Sequence, residues 1–196
     1  MVAGGVLSAV FSKRALFEMV NSRYNGIVDT LMYYITMMGQ AEVIVPVLAA
    51  LMLLRAYRTI WYFVTALACN LIPVVIEQGL KSWYDLPRPM NFYHSATWIH
   101  MSKDWPVLLY RSFPSGHSEG AFSFFCFLAL LLPAKHRVWG VVFFFLGLSV
   151  CYSRLYLAAH FFEDVYVGSI IGGVTSTLVF SVMDHYKGLF FKQKNT

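Results

Sequence analysis

Between Thr59 and Leu80 the chain carries one charged side chain, Glu77. A helix needs about 20 mostly apolar residues to cross a bilayer, and this run supplies them. Comparable runs cover Gln40–Leu54 (bounded by Arg55 and Arg58), Gly120–Pro133 (with a start that can reach back to Gly116), Val138–Tyr152 (extending to Ala159) and Val165–Met183. The apolar stretch ahead of Lys13 and Arg14 is a further, shorter candidate. Backbone placed in lipid must satisfy its own hydrogen bonds, so such runs fold as helices. The composition agrees: 13% of the 196 residues are charged and 58% hydrophobic, where a soluble domain carries about 25% charged residues. That excludes a soluble globular enzyme, a disordered chain and a coiled coil. The expected fold is all-α: a single integral membrane helical bundle over residues 1–196, with five to six transmembrane helices plus an interfacial amphipathic helix.

That last element is Tyr24–Met38. Ile27, Val28, Leu31, Met32 and Ile35 recur at helical spacing, while Asn25, Asp29, Tyr33 and Thr36 fall on the other side. The pattern suits a helix lying at the membrane surface, or else an extension of the next span. Sidedness follows from the order of the spans. The short links Arg55–Arg58 and Ala134–Arg137, and the tail with Lys187, Lys192 and Lys194, share one side and are rich in Lys and Arg, which predicts the cytoplasm. The net charge of +5 is scattered rather than gathered on a face, so nucleic acid is not an expected partner. Cys69, Cys126 and Cys151 lie inside apolar runs without CxxC spacing and predict buried thiols, neither a disulfide framework nor a metal site.

Polar residues that carry chemistry gather on the opposite side, in three groups. The first runs from Lys81 to Arg88-Pro89, the second is Pro114-Ser115-Gly116-His117 at the head of a span, and the third is Ser153-Arg154, His160 and Asp164. Charges at a membrane helix end can simply anchor or snorkel, but three groups on one face point to a common ligand. Lys81, Arg88 and Arg154 offer cations suited to oxyanions, the Arg forks in bidentate fashion. Ser115 and Gly116 open a helix whose N-terminal N–H groups can hold an anion. His160 and Asp164, spaced i,i+4, share a face if that segment is helical, and a carboxylate on one ring nitrogen leaves the other free to attack. His117 is then available as general acid and base. The ensemble is a phosphate site.

This triple pattern, KxxxxxxRP, PSGH and SRxxxxxHxxxD in order from Lys81 to Asp164, resembles the type 2 phosphatidic acid phosphatase (PAP2) superfamily of membrane lipid phosphatases. Asn25, Asp29, Thr36 and Gly39 look like the region ahead of the core in bacterial members. The resemblance implies a phosphohistidine formed on His160 and oriented by Asp164, with His117 protonating the leaving group and then activating water. Lys81, Arg88, Ser115, Gly116 and Arg154 would bind the phosphoryl oxygens, with Ser153 in support. The implied substrate is a phosphomonoester or diphosphate of a membrane lipid: undecaprenyl diphosphate, phosphatidylglycerol phosphate, phosphatidic acid or a lipid A phosphate. No cofactor, metal or obligatory protein partner is expected, and a bacterial inner membrane with the site facing outward fits. A phosphotransferase passing the phosphate to a second lipid would carry the same motifs. An anion transporter would spread its charges through the membrane depth instead of gathering them at one face.

Other polar residues admit two readings. Glu119 either shapes substrate choice or sits favourably in a first helical turn. Glu163 reads as an interface residue. His94, His100 and Arg111 either meet a headgroup or belong to a solvated loop. Asn70 and Glu77 lie in or near the end of a span and are functional candidates, Asn70 more simply as an interhelical hydrogen-bonding residue. Gly168 and Gly172 predict close helix packing within one molecule. The carboxylates on the motif side, Asp85, Asp104, Glu119, Glu163 and Asp164, show no ligand spacing, and two-metal chemistry needs such a cluster.

Overall fold

The computed structural model describes residues 2–94, 96–103 and 105–190; Asp104, Lys192 and Lys194 lie outside the described residues. Within them the structure is helical: α1 (Val2–Val10), α2 (Lys13–Asn21), α3 (Gly26–Met37), α4 (Ala41–Leu51), α5 (Ile60–Tyr84), α6 (Pro89–Phe92), α7 (Gly116–Leu131), a 3-10 turn at Ala134–His136, α8 (Trp139–Tyr156), α9 (Phe162–His185) and α10 (Lys187–Phe190). Local chemistry sets several starts. The side chains of Ser12, Asn25, Thr59 and Ser115 each accept a hydrogen bond from the backbone N–H of Ala15, Ile27, Tyr62 and Ser118 respectively, satisfying donors that a helix leaves open.

Helix α7 is the hub, packed against α5, α8 and α9. Helix α9 approaches it through glycines. A Cβ on Gly168 would stand 2.4 Å from the Ser115 carbonyl oxygen, and one on Gly172 would stand 2.2 Å from that of Glu119. Both atoms are backbone and cannot swing aside, so the close approach of the two helices requires the missing side chains, as the small-residue spacing predicted. The outer faces are apolar: Phe63, Leu67, Leu71 and Val75 form an exposed i,i+4 stripe on α5, and Val141, Phe145, Leu148 and Tyr152 a similar one on α8. In lipid these stripes are at no disadvantage. Among the described residues, three helical stretches are long and apolar enough to span a bilayer: Ile60–Phe92, Trp139–Tyr156 and Phe162–His185. A fourth span arises if α3 and α4, bent by 52° at their junction, cross together.

By length and apolarity this count falls short of the five to six spans expected. Helix α7 has 16 residues, about 24 Å at 1.5 Å per residue, and α1 has nine, which is too few to cross. The polar stripe of α3 also differs from expectation. Ile27, Leu31 and Tyr34 are exposed, while Asp29 and Thr36 reach inward to Tyr156 and Arg154. The polar face serves the protein interior rather than water. Asn70 makes no interhelical bond through its amide nitrogen, which donates to the Ala66 carbonyl one turn back on α5 at 2.8 Å. The three cysteines are free, Cys69 and Cys151 buried and Cys126 partly so.

Candidate active site

Helices α5 and α8 end, and α7 and α9 begin, at the same end of the bundle, and this antiparallel order brings the three motif groups together. Lys81 lies in the last turn of α5, and Arg88 caps the short α6. Ser115 caps α7, Arg154 sits in the last turn of α8, and Asp164 in the first turn of α9. Between α8 and α9 the chain turns sharply. Ala158 takes a left-handed conformation (φ 52°), which costs about 1–2 kcal/mol for a residue with a Cβ. Its Cβ is nevertheless buried with Phe17, Ile99 and Phe161. The turn lets the backbone N–H of both Ala159 and His160 donate to the Arg154 carbonyl, so His160 folds back over the end of α8.

Two contacts join the motif groups directly, and Lys81 approaches Gly116 closely. Arg88 Nη1 stands 3.2 Å from His160 Nε2. The Ser115 N–H donates to the Asp164 carbonyl at 2.9 Å. A methyl group placed on Gly116 would stand 3.3 Å from Lys81 Nζ. Arg88 is fixed independently of any ligand, since its guanidinium also donates to the carbonyls of Tyr110, Ala159 and Arg111. His160, Asp164, Arg88 and Arg154 are all buried. A buried guanidinium demands an anion or a full set of acceptors; among the described residues Arg154 donates to the Thr36 hydroxyl at 2.8 Å, and its Nε is buried without a hydrogen-bond partner. The face of Trp105 covers its guanidinium, with Cζ 4.4 Å from the ring centroid, a cation–π contact.

Asp164 is held tightly. Its Oδ2 accepts from the Ser112 hydroxyl at 2.5 Å and from the Phe161 N–H at 2.9 Å. His160 Nδ1 stands 3.5 Å from that oxygen, in ion-pair range but longer than a good hydrogen bond. Asp164 therefore faces Nδ1 and leaves Nε2 toward Arg88, which is the division of the ring that nucleophilic attack through Nε2 requires. Burial, then the charges of Arg88, Arg154 and Lys81, hold the His160 pKa well below its ordinary value and keep the imidazole neutral. His117 Nε2 lies 2.7 Å from Gln40 Nε2. An amide can donate through nitrogen or, turned over, accept through oxygen, so Gln40 can serve either protonation state of a general acid and base.

Other side chains clarify what the sequence left open. Lys81 is not a free cation: it is ion-paired with Glu77, which is buried one turn earlier on α5. An ammonium has three donors and can hold a carboxylate and a phosphoryl oxygen together. Glu119 does sit in the first turn of α7, where it is buried and its Oε1 has no hydrogen-bond partner among the described residues. His100 is tied to Asp29 at 2.8 Å and stacked on Tyr24, so it is not simply a solvated loop residue, whereas Arg111 is exposed in the loop and donates to Gln78 at the surface. Ser153 donates to the Val150 carbonyl within its own helix. Ser112, Gln40 and Trp105 have no motif to betray them and meet the site only through the fold; Thr36 belongs to the segment ahead of the core that the resemblance picked out, but its contact with Arg154 was not legible. Among the described residues no group of three or more His, Cys, Asp or Glu side chains could hold a metal ion.

Two histidines, three cations and a helix N-terminus gathered at one end of a membrane-helix bundle define a membrane enzyme that handles phosphate. Residues 58–187 match the PAP2 superfamily, and the chain belongs to that family of phosphatases. An undecaprenyl-diphosphatase of Sulfolobus acidocaldarius is 28% identical over 167 residues, which are 83% of this chain and 74% of the relative. Two crystal structures share the fold. That of the first transmembrane PAP2 type phosphatidylglycerolphosphate phosphatase from Bacillus subtilis gives a TM-score of 0.72 at 22% identity, covering 100% of this chain and 94% of that one. That of Aquifex aeolicus LpxE gives 0.66 at 24% identity, covering 85% and 93%.

Proposed function

We propose that this membrane lipid-phosphate phosphatase works through His160 as nucleophile, Asp164 as its orienting carboxylate and His117 as general acid and base. The observation that carries the assignment is the Arg88–His160–Asp164 arrangement, which aims one ring nitrogen at a guanidinium and the other at a carboxylate. His160 Nε2 attacks phosphorus, the bond from phosphorus to the leaving oxygen breaks, and His117 supplies that oxygen's proton. Water, deprotonated by His117, then attacks the phosphohistidine, releasing inorganic phosphate and restoring His160. Arg88, Arg154 and Lys81, with the Ser115 hydroxyl and the Gly116 N–H at the start of α7, hold the three phosphoryl oxygens; the Ser115 N–H is already committed to the Asp164 carbonyl. Positioning and fixed charge supply the rate enhancement, as in other phosphoryl transfers.

The relative from Sulfolobus makes a polyprenyl diphosphate the first substrate to try. Phosphate release by purified protein from undecaprenyl diphosphate, phosphatidylglycerol phosphate, phosphatidic acid and lipid A tests the function and ranks the lipids; no release from any of them would refute it. Arg88 and Arg154, which have no carboxylate ion pair among the described residues, offset the roughly two negative charges of a phosphomonoester, with Lys81 shared with Glu77, so turnover should persist in excess EDTA, and orthovanadate should inhibit. Loss of activity in EDTA, restored by magnesium with the substrate equally dispersed, would overturn that electrostatic argument.

The location we propose is the cytoplasmic membrane, with the site on its outer face, because the Arg55–Arg58 and Lys135–Arg137 links at the far end are short and basic. In a background without the native cysteines, Lys103→Cys should be modified by an impermeant maleimide on intact cells, and Lys135→Cys only after permeabilisation. The reverse pattern would invert the orientation.

A further inference from the structure

We propose that Trp105 is a phosphate-binding residue, its indole N–H donating to a phosphoryl oxygen of the substrate. The inference rests on the reading of this site as a phosphoryl site, and it extends the site beyond the three motif groups. Trp105 comes from the loop between α6 and α7. It is 8% exposed, and Nε1 is buried without a hydrogen-bond partner among the described residues. A buried donor left unmade is costly and rare in a folded protein, so a partner is to be expected when the site is filled.

The neighbours fix the chemistry of that partner. One face of the ring lies against the Arg154 guanidinium at 4.4 Å, and the His117 ring meets it edge-on at 5.9 Å between centroids. Trp105 thus touches a motif cation and the general acid–base together. Arg154 Nε, on the group it covers, is a second buried donor without a partner. Two unmet donors beside a cation call for an acceptor carrying negative charge, and the phosphoryl group is the one that the reaction delivers. The ring is also held rigidly for such a task. It packs on Tyr156, Leu157 and Ala159, with Val28, Met32 and Tyr33 of α3 against the same cluster. Helix α3 therefore contributes to the site twice, through Thr36 on Arg154 and through the wall behind Trp105.

The test uses full-length protein in detergent with 15N-labelled indoles and orthovanadate as the phosphate probe. Adding orthovanadate should move the Trp105 indole resonance downfield. The signal is assigned by its disappearance in Trp105→Phe or, should that variant not fold, by elimination through Phe replacements at Trp83, Trp98, Trp139 and Trp61. In Trp105→Phe, which keeps an aromatic ring over Arg154 but has no N–H, the orthovanadate inhibition constant should rise about tenfold or more, the loss expected for one hydrogen bond to a charged group. Inhibition of the wild type with an unmoved Trp105 resonance would overturn the inference alone, because the N–H then bonds to water or to nothing. A shifted resonance with an unchanged inhibition constant in Trp105→Phe would also overturn it, leaving Trp105 a wall of the site. A wild type that orthovanadate does not inhibit would overturn the phosphoryl-site reading and this inference with it.

Discussion

His160→Ala should lower lipid phosphate hydrolysis by about 10⁴-fold or more, the scale on which loss of a nucleophile acts in enzymes with a covalent intermediate. The protein should still fold. Arg88 keeps its bonds to the carbonyls of Tyr110, Ala159 and Arg111 when His160 is removed, and Asp164 keeps Ser112 and the Phe161 N–H. The buried charges around the vacated ring therefore retain partners, which is what separates loss of chemistry from loss of structure here. His117→Ala should behave differently. It removes the proton donor and the activator of water but leaves the nucleophile, so a substrate with a good leaving group should load radiolabelled phosphate onto the enzyme and leave it there. The readouts are phosphate release, acid-labile label on the protein, and size-exclusion profiles in detergent. Near-normal turnover by a well-folded His160→Ala protein would refute the mechanism.

Gly168→Ala should also lower activity, by less than loss of the nucleophile and by a route that involves no reacting group. The added Cβ meets the Ser115 carbonyl oxygen at 2.4 Å, and that oxygen belongs to the residue capping α7. Overpacking of this kind costs about 1–3 kcal/mol, and relief requires α9 to move away from α7. That motion stretches the bond from the Ser115 N–H to the Asp164 carbonyl, 2.9 Å in the structure, and separates the phosphate-binding helix start from the His160–Asp164 turn. A displacement near 1 Å is enough to lose about 10²-fold in rate. The expected result is a lower melting temperature in detergent together with a fall in kcat of that order. Gly173→Ala is the control: its Cβ would meet Phe122 at 3.8 Å, an ordinary contact, and both quantities should stay close to wild type. Equal behaviour of the two variants would dispose of the packing argument.

The sequence went furthest where a residue's meaning depends on its near neighbours along the chain. The Pro-Ser-Gly-His opening of α7 and the small-residue spacing on α9 are local patterns, and each appears where its pattern placed it; His160 also faces Asp164, but from the turn ahead of α9 and not from a shared helix face. Span number was less legible. A hydropathy run does not say whether α3 and α4 bend at Gly39 and Gln40, or how far into the membrane a 16-residue helix such as α7 reaches. The polar stripe of α3 was visible, but its use was not: alternation shows that a helix has two faces, and only its neighbours decide which of them meets water. Asn70 shows the same limit on a smaller scale, because a polar residue in a span can satisfy its donor on its own helix as well as on another.

What the sequence determined by itself was the medium and the motif: a chain too apolar for water must fold as helices in lipid, and its three groups of motif side chains stand at or beside helix ends. The tertiary structure alone decided how those side chains are held. Ser112 on Asp164, Glu77 on Lys81, Gln40 on His117, Thr36 on Arg154 and Trp105 across Arg154 and His117 are partnerships, most of them between residues far apart in the chain. The physical reason is that burying a charge is costly without a partner, and a partner can come from any segment that packing brings within about 3 Å. Helix formation is governed by short-range backbone terms that a single sequence displays; the identity of a buried group's partner is fixed only when the helices meet.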